Sequence, residues 1–448
     1  MKTRFLISIL ALVTAFAAGA QVAFTGNTRE VFEETPAANT GLDKVYVLYD
    51  TKGVGMSYTA QTENPVTWYT YGELGGGYAE QLEGVVTDGL TTSIAQVIPN
   101  KGYIIEEGTS RLYLWVTNYA DYRLTLSSID APSDGDCGTV TINVDGNGPD
   151  IPFFGINGVR RTLDRDLTLA YNNLEWSDTT HWQEKRVEES QPSFKSTIVI
   201  PAPFENTTFS LSGDRFLRFW GEDVSVESGT YTTAAVDARV VVVQEEKKGH
   251  DNEKKSGSES TLGGSAPAHI TFTAYCTDAV MHKEWQMSYY REFNDITLRI
   301  NQEEIDQVFE DAGTTYWRFF AANADGTCEY LSDIYTVNIG ESELVCPNVF
   351  TPGTSEGVND VWKVSYRSII DFHCWIFNRW GNKIIEFTDP SGGWDGTYKG
   401  KLVPAGVYYY VIEARGSDDK KYKLKGDINI IRYKRINDGG NVTPSDFE

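Results

Sequence analysis

The sequence predicts an all-β protein, a tandem of β-sandwich domains, and three observations carry that expectation. Aromatic residues make up 13% of the chain and stand with Val- and Thr-rich runs between turn formers, the composition of strands. Glycine is abundant, at 41 residues, and often marks where those runs end. No segment sustains a helical period beyond a short candidate at "NQEEIDQVFEDAG", 301–313.

The chain opens "MKTRFLISILALVTAFAAGAQ". Lys2 and Arg4 give a basic start, Phe5 to Phe16 an apolar stretch, and Ala18-Gly19-Ala20 the small residues that a signal peptidase reads. Residues 1–20 therefore read as a Sec signal peptide cleaved between Ala20 and Gln21. The apolar stretch is too short for a comfortable bilayer span, and no cysteine follows the cleavage point to take a lipid. Sec translocon and signal peptidase are the first expected partners, and the destination is an oxidising compartment.

Charge is uneven. The formal net charge is −24, yet residues 346–434 hold 13 Lys+Arg against 10 Asp+Glu, while residues 21–345 hold 23 against 50. So acidic a body excludes a nucleic-acid partner, which would call for a basic stripe, and reads as the solubility of an exterior protein.

Domain limits follow from composition. "EEKKGHDNEKKSGSESTLGGSAPA" is charged and then Gly/Ser-rich, so residues 246–266 are expected to form a flexible linker. Turn-rich "DAPSDGDCG" and "NIGESELVCPN" mark two further boundaries. "GTSRLYLWVTN" (108–118) and "GTTYWRFFAAN" (313–323) repeat one pattern, and upstream of each a strand carries Trp68 or Trp285. "FSLSGDRFLRFWG", 209–221, reads as strand–turn–strand about Ser212-Gly213-Asp214, and "DGNGPD", 145–150, as a turn. The repeated order resembles Ig-like or PKD-like β-sandwiches. It places sandwiches at 22–132 and 267–341, with a β-rich domain between them at 136–245.

Five cysteines allow several pairings. Cys276 and Cys328 share the second repeated module, where a bridge would contribute about 4 kcal/mol on the chain-entropy picture. Cys346 and Cys374 share the last ninety residues, where a bridge would contribute about 3.5 kcal/mol. Cys137 is left over.

The C-terminal segment, 346–434, reads as a compact antiparallel sandwich. In "FHCWIF" Phe372, Cys374 and Ile376 share one face, and Trp375 and Phe377 the other. "NRWGN" is a turn, "KIIEF" the returning strand, "DPSGGWDG" a loop closed by Trp394, and "GVYYYVIEA" and "GDINIIRY" two Gly-led strands. Ordered blocks run along it: Pro347-Asn348-Val349-Phe350-Thr351-Pro352, Asn359-Asp360, Ile376-Phe377-Asn378-Arg379-Trp380-Gly381, Gly393-Trp394-Asp395-Gly396, Pro404-Ala405-Gly406-Val407-Tyr408-Tyr409-Tyr410 and Lys425-Gly426. In these the segment closely resembles the gliding-motility-associated C-terminal domain family, the type B sorting domain of the Bacteroidota type IX secretion system. The resemblance implies an address: transit through the periplasm, then export by the type IX machinery to the cell surface or the medium. Asn359, Asp360, Asn378, Arg379, Trp380, Gly381, Trp394, Asp395 and Gly396 are the candidate recognition residues. The loop after Pro352, "GTSEGVND", departs from the family's Asn-Gly-Asp-Gly turn and keeps only Glu356 and Asp360 as carboxylates, too few for Ca²⁺. Residues 435–448 continue past the family pattern as a polar tail.

Enzyme signatures are missing: no HExxH, GxSxG, phosphate-binding or dinucleotide glycine motif stands in the chain. Trp68, Trp115, Trp182 and Trp220 could stack on sugars, though strand aromatics in sandwiches usually fill cores. The expected protein is a non-enzymatic adhesion or scaffold protein without cofactor or metal, meeting a glycan or protein ligand at the surface. Two alternatives stand beside it: a carbohydrate-binding or glycan-processing protein with its site in 136–245, and an accessory part of the gliding or secretion apparatus.

Overall fold

The computed structural model describes residues 21–75, 78–133, 135–255, 262–353 and 357–432. The expected signal peptide with Ala20, the tail 435–448 and Glu356 lie outside the described residues. Gln21 opens the first strand, Gln21–Thr25. Strands dominate, as the all-β expectation requires. Two compact units emerge. The first gathers the described residues of Met1–Asp134, Gly138–Asn173 and Glu184–Thr233, and the second those of Gly135–Cys137, Leu174–Gln183 and Ala234–Glu448.

The first unit begins with a sandwich. A four-stranded sheet contains Gln21–Thr25, Gly55–Thr59, Thr91–Ile94 and Val86–Asp88. A six-stranded sheet contains Phe32–Glu34, Lys44–Leu48, Ser110–Asn118, Lys101–Glu107, Val66–Tyr71 and Glu80–Gln81. Tyr46, Leu48, Met56, Tyr58, Trp68, Tyr103, Ile105, Leu114 and Val116 fill the first core. Side chains alternate along a strand, so Val45, Val47 and Trp115 point the other way. They enter a second core with Ile129, Val140, Ile142, Leu169, Phe209, Leu211 and Phe216. Buried on both faces, Lys44–Leu48 accordingly reads as an almost unbroken apolar run.

That shared core corrects the expected break between 22–132 and 136–245: the two modules are welded into one unit. The second module pairs Thr125–Asp130, Thr139–Asn147 and Thr197–Pro201 in one sheet. His181–Gln191, Leu167–Ser177, Ser210–Ser212 and Ser225–Glu227 form the other. Asp145, Gly146 and Asn147 lie on a strand rather than in the expected turn, and a side chain at Gly146 would meet the Thr125 carbonyl oxygen at 2.4 Å. The segment after Gly213 is a short helix, Arg215–Phe219, where a strand was expected. Asp214 caps it, accepting the Leu217 N–H at 2.9 Å, and that cap makes the turn helical.

In the second unit the third module starts some thirty residues before the expected 267. Ala238–Gln244, Ala268–Cys276 and Glu304–Phe309 form one sheet; Leu262–Gly264, Tyr335–Ile339, Gly313–Ala322, His282–Ser288 and Leu298–Ile300 run through the other. Phe272, Trp285, Trp317, Phe319 and Val337 lie in their core. Glu304–Phe309 is a strand, correcting the helical expectation: Ile305 is buried and its neighbours are exposed, a period of two.

The cysteine expectations are corrected as well. Cys328 bonds to Cys137, with Cα atoms 5.4 Å apart, inside the range a disulfide tolerates. Cys276, Cys346 and Cys374 are free thiols. Burial pushes the Cys276 thiol up to about 11 and Cys374 up to about 12. Cys346 is also raised by burial, partly offset by its hydrogen bond with Tyr410.

The C-terminal module carries a five-stranded sheet in the order Val349–Phe350, Lys421–Ile430, Gly406–Gly416, Ile369–Phe377, Lys383–Phe387. Phe372, Cys374 and Ile376 face its core, together with Trp362, Trp394, Tyr408 and Ile428. Gly426 opens no strand, contrary to expectation. It sits inside Lys421–Ile430, where a side chain would meet the Tyr410 ring at 2.8 Å.

The expected flexible linker, 246–266, is corrected for its described residues. Asn252 Nδ2 donates to the Val364 and Pro390 carbonyl oxygens at 2.7 and 2.8 Å, and the Lys254 N–H donates to Tyr366 O at 2.7 Å. His250 Nδ1 lies 2.6 Å from the Tyr366 hydroxyl, and Asp251 pairs with Lys363 at 2.7 Å. Glu253 binds Lys247 and the Ser265 hydroxyl. Apart from Leu262, which joins the sheet and packs on its core, the strap has no large apolar side chain and is held by directed polar contacts.

Candidate functional site

The strand Ile369–Phe377 ends in the "NRWGN" turn. Asn378 Oδ1 accepts the N–H groups of Trp380 and Asn382, each at 3.0 Å, while Gly381 takes a φ of +83°. This Asx-type closure fixes the backbone and leaves the two residues at its tip outside. Trp380 is 70% exposed, and the Arg379 guanidinium rests 4.2 Å from its ring centroid. Such a cation–π stack holds a large apolar surface open to solvent.

A groove of about 770 Å³ runs beside the tip, with Asn378–Ile384 on one wall and Tyr398 and Val403–Tyr408 on the other. Its floor is rigid. The Tyr408 hydroxyl donates to Pro404 O at 3.0 Å, and its ring meets Trp394 edge-on at 5.1 Å. Trp394 is fully buried, donates from Nε1 to Thr397 O at 2.8 Å, and exchanges backbone hydrogen bonds with Trp362.

The nine candidates thus sort by what they touch. Arg379 and Trp380 present side chains to the groove, and Asn378 and Gly381 shape their turn. Trp394 is core. Asp395 accepts the Thr397 N–H and hydroxyl at 2.9 and 2.7 Å, and a side chain at Gly396 would meet Pro352 Cγ at 2.8 Å. Asn359 has a φ of +53°, and Asp360 takes the N–H groups of Gly353 and Gly357 at 3.1 and 2.7 Å. These four hold loops. Tyr398, Pro404 and Val407, not singled out from the sequence, complete the groove. The "PAGVYYY" block holds two of them, yet alternation alone does not tell which tyrosine faces the groove.

Of the four tryptophans considered for sugar stacking, Trp68, Trp115 and Trp220 are buried. Trp220 donates from Nε1 to Glu30 O at 2.7 Å. Trp182 is half-buried beside Trp176, His181 and Tyr275, with its Nε1 donating to Tyr275 O at 2.9 Å. Among the described residues no group of three or more His, Cys, Asp or Glu could hold a metal ion, and no helix is long and apolar enough to cross a membrane.

Fold and site together define a multidomain β-sandwich protein with a dedicated C-terminal module. Residues 344–430 match the CHU_C Type IX secretion signal domain, and residues 128–228 match a Fibronectin type III domain, Fn3_FA. The chain therefore carries a type IX export signal, is handled by the type IX machinery, and is a multidomain protein exported to the cell surface or secreted. Among solved structures, a tetra-tandem repeat in the extending region of a large adhesion protein covers 86% of this chain and 96% of its own, at 10% identity and a TM-score of 0.24. The three N-terminal domains of the bacteriophage RB49 Highly Immunogenic Outer Capsid protein (Hoc) cover 70% and 100%, at 10% identity and 0.21. Dimeric latent PorU from Porphyromonas gingivalis covers 72% and 35%, at 7% identity and 0.16. No curated protein matches the chain.

Proposed function

We propose that the protein is a non-enzymatic surface scaffold of adhesion type in a Bacteroidota cell. Sec carries it to the periplasm, signal peptidase trims it between Ala20 and Gln21, and the type IX machinery reads the Arg379–Trp380 tip and its groove. The observation that supports this reading is where the aromatic residues go. Trp68, Trp115, Trp220, Trp285 and Trp317 fill sandwich cores, whereas Trp380 stands 70% exposed on the export module. An exposed indole with a stacked guanidinium is the composition of an interface anchor.

Protease accessibility on intact cells tests the reading, comparing the full chain with one truncated after Val345 in hosts with and without a working type IX system. Surface exposure of the full chain alone, in the competent host alone, is the expected result. Equal exposure of both chains would overturn it.

A second reading, glycan binding, draws on the half-buried Trp176, His181, Trp182 and Tyr275 group. A glycan array hit lost in Trp182→Ala would favour it. Co-purification of envelope proteins with the exported form would instead favour an accessory role in the gliding or secretion apparatus.

A further inference from the structure

Among the described residues the third module leaves strand edges unpaired, and one of them is long and apolar. Ala238–Gln244, "ARVVVVQ", ends the three-stranded sheet, and its register against Cys276 through Ile270 runs without a bulge. Edge strands are normally blunted by Pro, Lys, a bulge or shortness. This one has seven residues, four consecutive valines, no Pro, Lys or bulge and a single charge, Arg239, and Val241 and Val243 are 42% and 58% exposed.

The hydrogen bonds at its ends show which backbone groups face outward. The Glu245 N–H donates to His269 O, and the Thr277 N–H to Asp237 O, each at 3.0 Å. On the far side of the neighbouring strand, the Ala274 N–H donates to Glu303 O at 2.8 Å. In an antiparallel ladder hydrogen-bonded and non-hydrogen-bonded pairs alternate. Residues 239, 241 and 243 therefore bond inward, and Val240, Val242 and Gln244 aim their N–H and C=O groups away from the sheet.

We propose that this edge pairs with the same strand of a second copy, antiparallel and centred on Val242, joining two three-stranded sheets into one. In that register Val242 meets Val242 and Val240 meets Gln244, so each outward N–H and C=O finds a partner. The outer face is matched as well. Arg239 stands opposite Glu245 at both ends, and Val241 opposite Val243 between them. A slip of two residues either way sets Arg239 against Val243 or Lys247, losing the ion pairs, so charge selects the centre. Neither Arg239 nor Glu245 makes an ion pair within the described residues. Arg239 is exposed; it rests 6.0 Å from the Trp182 ring and acts on the Asp237 carboxylate only through its field, without a salt bridge.

Sedimentation analysis of the full chain across the micromolar range tests the pairing. The wild-type chain is expected to form dimers in a concentration-dependent way. Arg239→Glu alone, or Glu245→Arg alone, places like charges opposite one another and weakens self-association by about tenfold or more. Mixing those two variants restores association as a heterodimer, because each Glu then meets an Arg, and the double reversal in one chain restores the homodimer. Val242→Pro removes the central outward N–H, which the isolated sheet does not use, and abolishes dimers. Both charge variants lie at exposed positions, so they decide the matter even if Val242→Pro disturbs folding. A wild-type chain that stays monomeric, a dimer indifferent to the single reversals, or a failure to rescue on mixing would overturn the proposal.

Discussion

Asp214→Ala is the substitution that most directly probes the weld in the first unit. Asp214 is fully buried, and its Oδ2 accepts from Arg165 Nη1 at 2.5 Å, itself 1% exposed. The same carboxylate accepts the Tyr119 hydroxyl at 3.0 Å and caps the Arg215–Phe219 helix through Leu217 N–H. Arg165 Nη2 also donates to the Tyr122 and Pro149 carbonyl oxygens, so the guanidinium cannot swing out to water. Removing the carboxylate strands a buried cation, which costs about 3–5 kcal/mol, and the lost cap adds about 1 kcal/mol. Replacing both partners by apolar residues removes the stranded charge, so Arg165→Met with Asp214→Leu is expected to recover most of the loss. Urea unfolding of the full chain, followed by hydrogen exchange in peptides covering 163–171 and 209–220, reads the local midpoint. A single variant within about 1 kcal/mol of wild type, or a double variant as unstable as the single, would refute the reasoning.

Trp380→Ala is expected to leave melting unchanged while lowering surface delivery, since the side chain is exposed; a change in melting would place it in the fold instead. Trp394→Ala empties a core position and should cost about 3–5 kcal/mol, read by denaturant titration of the C-terminal peptides. Hydrogen bonds from Thr62 and Tyr58 hold the Glu107 carboxyl down to about 2. A carboxyl depressed on folding stabilises above its unfolded value of about 4.3 and loses that contribution as pH falls through the folded value. Glu107→Gln should therefore melt below wild type at neutral pH, with the gap closing toward pH ~2. Cys137→Ser opens a link spanning 191 residues and should lose up to about 5 kcal/mol. Thiol titration of the unfolded, unreduced wild-type chain is expected to count Cys276, Cys346 and Cys374.

What could be read from the sequence was what local pattern determines. The repeat at 108–118 and 313–323 lies on two strands, Ser110–Asn118 and Gly313–Ala322, with Trp115 and Trp317 buried on them. The turn at Asn378–Asn382 was legible because Asn and Gly are there for a stated backbone reason. Long-range partners were not legible. Nothing near Cys328 points to a residue 191 positions earlier, and proximity in sequence favoured Cys276 instead. The 301–313 run mixes acidic residues with Ile305 and Val308 at a helical spacing, and only the neighbouring strand Ala268–Cys276 makes it β. The 246–266 segment reads as unstructured because apolar burial is what sequence reveals, whereas Asn252 and His250 act through directed hydrogen bonds. At the groove, exposure separated Trp380 from Trp394, and two tryptophans in polar turns look alike until the core is known.

That strap also bears on how portable the export signal is. The matched signal covers 344–430, yet Tyr366 and Val364 inside it receive Asn252, His250 and Lys254 from a hundred residues upstream. A passenger grafted directly onto residue 344 would carry the address without its brace, with the Tyr366 hydroxyl and the Val364 carbonyl left to water. Grafts that start near residue 236, taking the third sandwich along, would keep both. For this chain the transplantable cassette is the pair of modules, and its boundary is set by hydrogen bonds rather than by sequence likeness.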